Sequence, residues 1–152
     1  MLTEILIQEL TIRAPARIVY ELLTDARSFA QWMAVEAEIE PWPDGMVRWR
    51  HANGDICRGR FVELVPHRRV VFTYGWERFD VGIPPGSTTV EIELAEADGV
   101  TTLRLTHRGL SSPAAEAHAF GWRHYLGRLS VRAEGDDPGP DPLADRRVPS
   151  FM

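Results

Sequence analysis

The stretch TTLRLTHRGLSSPAAEAHAFGWRHYLGRL, residues 101–129, runs from a strand pattern directly into a helix pattern. Leu103, Leu105 and His107 alternate with polar residues, which predicts a strand with one buried face. Ser112 and Pro113 then begin a long helix predicted over 113–134, with Ser112 as its N-cap. On a helical wheel one face carries Ala114, Ala117, His118, Gly121, Trp122, Tyr125 and Leu129. The stretch therefore predicts a sheet whose last strand leads into a helix that packs against it.

The residues before this stretch supply the rest of the sheet. A strand is predicted over 5–12, and two short helices follow, one over 16–23 and one that carries Phe29, Trp32 and Met33. Further strand patterns, separated by turn signals, occupy 35–40, 46–51, 56–65, 70–76 and 88–94. Strands and helices do not alternate, which disfavours a parallel sheet. We expect an α+β helix-grip fold: a curved antiparallel sheet of about six or seven strands around the long C-terminal helix, with two short helices after the first strand.

Composition limits the possible partners and the cellular setting. The chain has 152 residues, 44% of them hydrophobic, and a net charge of −5 without a basic block, so we expect no nucleic-acid partner. It has no apolar run long enough to span a membrane and no signal-peptide pattern. The single cysteine, Cys57, excludes an internal disulfide, and we expect a cytoplasmic protein. Residues 1–134 are predicted to form one domain, and residues 135–152 a flexible tail rich in Pro, Gly and Asp.

Several segments in order resemble a known family. They include IRAPARIVYELLTDARSFAQW at 12–32, LTHRGL at 105–110 and GWRHYLGRL at 121–129. The chain is similar to the START-like, polyketide-cyclase-type (SRPBCC) superfamily, and within it to the activators of the ninety-kilodalton heat-shock protein ATPase. The resemblance covers about residues 4–134. It implies a helix-grip fold with an internal cavity, and a link to stress responses, but no fixed reaction.

Large aromatic side chains are dense for a domain of this size. Those on the inner face of the sheet should lie opposite the helix face that bears Trp122 and Tyr125, where they either pack together or line a ligand pocket. Gly121, in the middle of that helix face, suggests a close approach to the sheet or to a ligand. The predicted ligand-binding residues are Trp32, Trp49, Phe72, Tyr74, Trp76, Leu105, His107, His118, Trp122 and Tyr125.

Two histidines are candidates for acid–base chemistry. His107 and His118 should point inward, whereas His51, His67 and His124 are expected to be exposed. The alternative for both inward histidines is a structural, hydrogen-bonded role. The sequence contains no metal-ligand spacing, no G-x-S-x-G turn and no phosphate loop, so we expect neither a metal nor a cofactor.

Three functions remain open at this point. The leading hypothesis is a cytoplasmic binding protein for an apolar or lipid-like small molecule, without enzymatic activity. The second is an enzyme that resembles polyketide aromatase/cyclases and uses His107 or His118 as general base. The third is a protein-interaction module similar to the heat-shock ATPase activators; it ranks last because the chain begins directly in the first strand. A homodimer with Phe120 in its interface is a further expectation.

Overall fold

The computed structural model describes residues 3–152, and its elements follow the predicted order. Two short helices come after the first strand, and one long helix comes after the last. The elements are β1 (Glu4–Ile12), α1 (Ala16–Thr24), α2 (Ala26–Ala30), β2 (Glu36–Ile39), β3 (Met46–Arg50), β4 (Ile56–Val65), β5 (Arg69–Tyr74), β6 (Thr88–Ala97), β7 (Val100–Leu110) and α3 (Ser112–Ala133).

The seven strands form one antiparallel sheet in the order β1-β7-β6-β5-β4-β3-β2. Its curvature has local causes in β4, where the pairing with β5 shifts register between Phe61 and Glu63. Gly59 lies so close to β5 that a Cβ atom there would be 1.7 Å from the carbonyl oxygen of Thr73. A glycine is therefore required where β4 lies this close to β5. The predicted helix-grip fold, with its curved sheet and long C-terminal helix, is confirmed.

The long helix α3 crosses the inner face of the sheet. Its N-cap is Ser111, whose Oγ accepts a hydrogen bond from the backbone N–H of Ala114 at 3.4 Å. The prediction that Ser112 is the cap was wrong by one residue, because Ser112 already has helical geometry and its hydroxyl donates to Glu4 at 2.6 Å. The buried residues of α3 are Ala114, His118, Trp122, Leu126, Leu129 and Ala133.

Strand β5 is shorter than predicted. It ends at Tyr74, because the next residue, Gly75, lies against the backbone of Pro84, where a Cβ atom would be 1.8 Å from the carbonyl oxygen. Trp76 follows as an isolated bridge to Cys57, and its backbone N–H donates to the carbonyl of Ile83 at 2.7 Å. This turn carries the Trp76 indole towards α3.

The helix pair α1–α2 covers the other end of the sheet. Asp25 is the N-cap of α2, and its carboxylate accepts a hydrogen bond from the backbone N–H of Ser28 at 3.0 Å. Trp32, just after α2, is 1% exposed and donates its indole N–H to the carbonyl of Leu22 at 2.8 Å. This buried hydrogen bond fixes α2 against α1. Within residues 3–152, no helix is long and apolar enough to cross a membrane.

Residues 134–152 follow α3 without a helix or strand and turn back over the body of the domain. Phe151 donates its backbone N–H to the carbonyl of Val81 at 2.9 Å, and Asn53 donates its side-chain amide to the carbonyl of Arg146 at 2.9 Å. The composition of this segment does not predict these contacts.

Candidate functional site

A pocket of about 520 Å³ lies between the sheet, α3 and the C-terminal residues. This volume is in the range of small-molecule sites. The sheet side supplies Trp49, His51, Tyr74 and Trp76, and α3 supplies a row of residues from Pro113 to Tyr125. The C-terminal wall consists of Leu143, Arg146, Arg147, Val148, Pro149 and Phe151.

The predicted ligand-binding residues divide into two groups. Six of them line the pocket: Trp49, Tyr74, Trp76, His118, Trp122 and Tyr125. The other four lie behind its wall in the core: Trp32, Phe72, Leu105 and His107. Six of the ten residues therefore face the pocket and four belong to the core, and a ligand-binding role for any of them stays a prediction.

Three tryptophan side chains around the pocket each donate an indole N–H to a histidine. Trp49 donates to His51 Nε2 at 3.2 Å. Trp76 donates to His118 Nε2 at 3.3 Å. Trp122 donates to His107 Nδ1 at 3.0 Å. Since an accepting imidazole nitrogen carries a lone pair, each of these histidines is neutral in this arrangement.

The second ring nitrogens settle the tautomers of the two inner histidines. His118 donates from Nδ1 to the carbonyl of Ala114 at 2.7 Å, one turn earlier in α3. His107 donates from Nε2 to Thr88 Oγ1 at 2.9 Å, and Thr88 donates in turn to the carbonyl of Tyr74 at 2.9 Å. Both nitrogens of each ring are thus engaged within the protein.

Burial reinforces the neutral state of these rings. It lowers the pKa of His107 to about 3, with a further contribution from His118, whose ring centroid is 5.7 Å away. Burial also lowers the pKa of His118, partly opposed by its bond to Ala114. Burial lowers the pKa of His51, although the nearby carboxylates Asp141 and Asp55 oppose the shift. At neutral pH the pocket therefore has uncharged imidazole rings.

Two of the histidines predicted to be exposed are not. His51 is 8% exposed and lines the pocket, with its ring 5.4 Å from that of Tyr125. It lies two residues after Trp49 and so continues the inward face of β3, a signal present in the sequence. His124 is half-buried and bonded to the Asp141 carboxylate at 2.7 Å. His67 is exposed, as predicted.

Two carboxylates that the sequence reasoning did not single out hold the C-terminal wall. Asp55, at the end of the turn after β3, has a side chain only 1% exposed and accepts from the backbone N–H of Val148 at 2.8 Å. Asp141 accepts from the Tyr125 hydroxyl at 2.6 Å. Burial opposes ionisation of Asp141, but hydrogen bonds from Tyr125, Leu143 and His124 outweigh it and lower its pKa. The sequence predicts only a turn between two strands around Asp55, and only a tail over residues 135–152.

Gly121 lines the pocket in the middle of α3. A Cβ atom built there meets no heavy atom within 4 Å, so the glycine faces open space. Of the two alternatives expected for Gly121, a close approach to the sheet is not observed, and an approach to a ligand stays a prediction. Phe120, its neighbour, is 51% exposed and has the Arg146 guanidinium 5.4 Å above its ring. Among residues 3–152, no three His, Cys, Asp or Glu side chains are grouped as a metal site would require.

Comparisons with known proteins agree with the fold and with the sequence motifs. The family model described as Activator of Hsp90 ATPase homolog 1-like protein matches residues 13–134. The solution structure of an AHSA1-like protein from Rhizobium etli is 40% identical with a TM-score of 0.72, covering 99% of this chain and 94% of that one. No curated protein matches the chain significantly.

Two more distant structures share the fold. DynU16, a protein of the dynemicin biosynthetic locus, is 22% identical with a TM-score of 0.76, over 90% of this chain and 50% of that one; the chain thus spans about half the length of DynU16. The Aha1 dimer from Colwellia psychrerythraea is 18% identical with a TM-score of 0.72, over 89% of this chain and 98% of that one. The family predicted from the sequence is confirmed: the chain belongs to the Activator of Hsp90 ATPase homolog 1-like family.

Proposed function

We propose that this protein binds a mostly apolar small molecule in the pocket between the sheet and α3. The proposal rests on the aromatic composition of the pocket wall. Rings of Trp49, Tyr74, Trp76 and Trp122 surround a space of about 520 Å³, which is enough for a drug-sized molecule. Aromatic faces offer a ligand large contact areas at little cost in conformational entropy.

The polar groups of the inner wall support an apolar ligand. The indole N–H groups of Trp49, Trp76 and Trp122 are already bonded to histidines. Among the described residues, no buried side-chain nitrogen or oxygen lacks a hydrogen-bond partner. At the inner wall a ligand therefore meets ring faces whose indole N–H groups already have partners. A polar end of the ligand would lie near the C-terminal wall, where Asn53 and Arg146 line the pocket.

The same hydrogen bonds argue against the enzyme alternative. A general base needs a free lone pair, but the lone pairs of His107 and His118 accept from Trp122 and Trp76. Burial also lowers the pKa of both imidazoles, which makes them weak bases. Non-catalytic binding is thus the better-supported function. The cytoplasm remains its proposed location, since the buried Cys57 is a free thiol.

Native mass spectrometry of the protein purified from its own host tests this proposal. We expect a ligand-bound species that loses an apolar molecule on collisional activation or organic extraction. The extracted protein should then bind the neutral probe N-phenyl-1-naphthylamine with enhanced fluorescence. A protein that carries no ligand and binds no apolar probe would contradict the proposal.

A further inference from the structure

The C-terminal wall of the pocket differs from the other walls in how it is held. We call residues 141–152 the C-terminal strap. The sheet and α3 belong to the continuous apolar core. The strap has no helix or strand. It is connected to α3 by residues 135–140, GDDPGP, in which Gly135 and Gly139 have positive φ angles of 100° and 73°.

The side chains of Asp55 and Arg78 form a clip that holds the middle of the strap at Val148, and Arg147 of the strap adds to it. The Asp55 carboxylate accepts from the backbone N–H of Val148 at 2.8 Å. Arg78 donates to the carbonyl of the same residue, and also to Asp55 at 2.8 Å. Arg147 donates to Asp55 from the strap at 3.2 Å. The buried Asp55 carboxylate therefore accepts every hydrogen bond of the clip except the one from Arg78 to the Val148 carbonyl.

Two further anchors hold the ends of the strap. Near the start of the strap, Asp141 accepts from Tyr125 at 2.6 Å and from His124 at 2.7 Å. Near its end, Phe151 donates to the carbonyl of Val81 at 2.9 Å, and its ring lies 5.9 Å from that of His118. Lifting the strap breaks hydrogen bonds that water can replace and uncovers two partly buried side chains, Val148 and Phe151, whereas separating α3 from the sheet would expose the whole apolar core.

We propose that the C-terminal strap is the gate of the pocket and that Asp55 is its latch. A ligand enters and leaves when the clip at Val148 opens, while the sheet and α3 stay in place. The inference rests on the proposed binding function, because it assigns the regulation of that same pocket. It also makes Asp55, which lines the pocket beside the strap, and Arg78, which does not line it, residues that set the rates of ligand exchange.

Stopped-flow fluorescence with N-phenyl-1-naphthylamine tests the gate. In Asp55→Asn the side chain loses its charge and can no longer accept from all three donors. We expect association and dissociation rates of the probe to rise at least about tenfold together. Glu77→Gln is the matched control, since Glu77 pairs with Arg48 and Arg58 away from the strap, and its rates should equal those of the wild type. Unchanged rates in Asp55→Asn, or a faster dissociation alone, would overturn the gate.

Hydrogen exchange gives a readout that needs no probe. The Val148 and Phe151 amides should exchange by local opening, faster than the amides of β7, and faster again in Asp55→Asn. Should that variant not fold, Arg147→Ala tests the same clip, because its side chain is 58% exposed. If the wild type fails to bind the probe, the proposed function fails, and the exchange data still test whether the strap opens locally. Exchange of Val148 only by global unfolding would overturn it.

Discussion

Gly121 offers a way to fill the pocket without cutting into the core. A Cβ atom there meets nothing within 4 Å, so Gly121→Ala introduces no clash, and Gly121→Leu extends a side chain into the space assigned to the ligand. Gly127 is the matched control: it also lies inside α3, also has open space around a Cβ atom, and does not line the pocket.

The expected energies follow from these surroundings. Replacing a helical glycine by alanine or leucine stabilises a helix by roughly 0.5–1 kcal/mol. The alanine and leucine variants of both Gly121 and Gly127 should therefore melt a few degrees higher than the wild type. In Gly121→Leu the new side chain also covers part of the apolar pocket wall. This adds to the free energy of unfolding a part of the ~1.5–3 kcal/mol that full burial of a leucine contributes. The same volume is lost to a ligand. We expect the Kd of N-phenyl-1-naphthylamine to rise at least about tenfold, or ~1.4 kcal/mol, in Gly121→Leu alone.

Differential scanning calorimetry and fluorescence titration on the same preparations measure both effects. We expect stability to rise and affinity to fall in Gly121→Leu, and only stability to change in the variants of Gly127. Gly121→Leu with wild-type affinity for the probe would refute the placement of the site. An equal loss of affinity in Gly127→Leu would refute it as well.

Three further predictions concern the wall and its support. Burial lowers the pKa of His107 to about 3, so between pH 6.5 and 3 the unfolded chain binds more protons than the folded one. The free energy of unfolding should therefore decrease as the pH is lowered from about 6.5 to 3. His107→Gln should remove up to about 1.4 kcal/mol per pH unit of that slope in urea denaturation. Trp76→Phe frees Nε2 of His118, so it should cost about 1–3 kcal/mol and raise the His118 pKa in an NMR titration; an unchanged pKa would count against the pair. Gly59→Ala should destabilise by about 3 kcal/mol in the same denaturation assay, because its Cβ would meet the Thr73 carbonyl; a neutral outcome would contradict the close approach of β4 to β5.

The order of elements could be predicted because each depends on local pattern. Alternation in Leu103, Leu105 and His107 marks a strand with one buried face, and the proline at 113 marks the start of a helix. The inward face of β3 was also readable, since Trp49 and His51 share it, although only Trp49 was used. Such signals depend on residues close in sequence, and they can therefore be recognised from the sequence alone.

Depth inside the fold could not be predicted in this way. Trp32 and Trp49 are both inward aromatic residues, yet Trp32 bonds to Leu22 in the core and Trp49 lines the pocket. The distinction depends on how α2 and the sheet meet. The strap could not be predicted either, because its contacts join residues far apart in sequence, such as Asp55 and Val148, and its composition alone indicates a tail.

The indole N–H groups provide the most direct test of the proposed binding pocket. The chain has five tryptophans, of which Trp49, Trp76 and Trp122 line the pocket, whereas Trp32 is in the core and Trp42 is 55% exposed. Indole resonances of ¹⁵N-labelled protein can be followed while N-phenyl-1-naphthylamine is added. The account predicts saturable shifts of the three pocket indoles, with Trp32 and Trp42 unmoved. Shifts confined to Trp42, or no shifts at all, would contradict it.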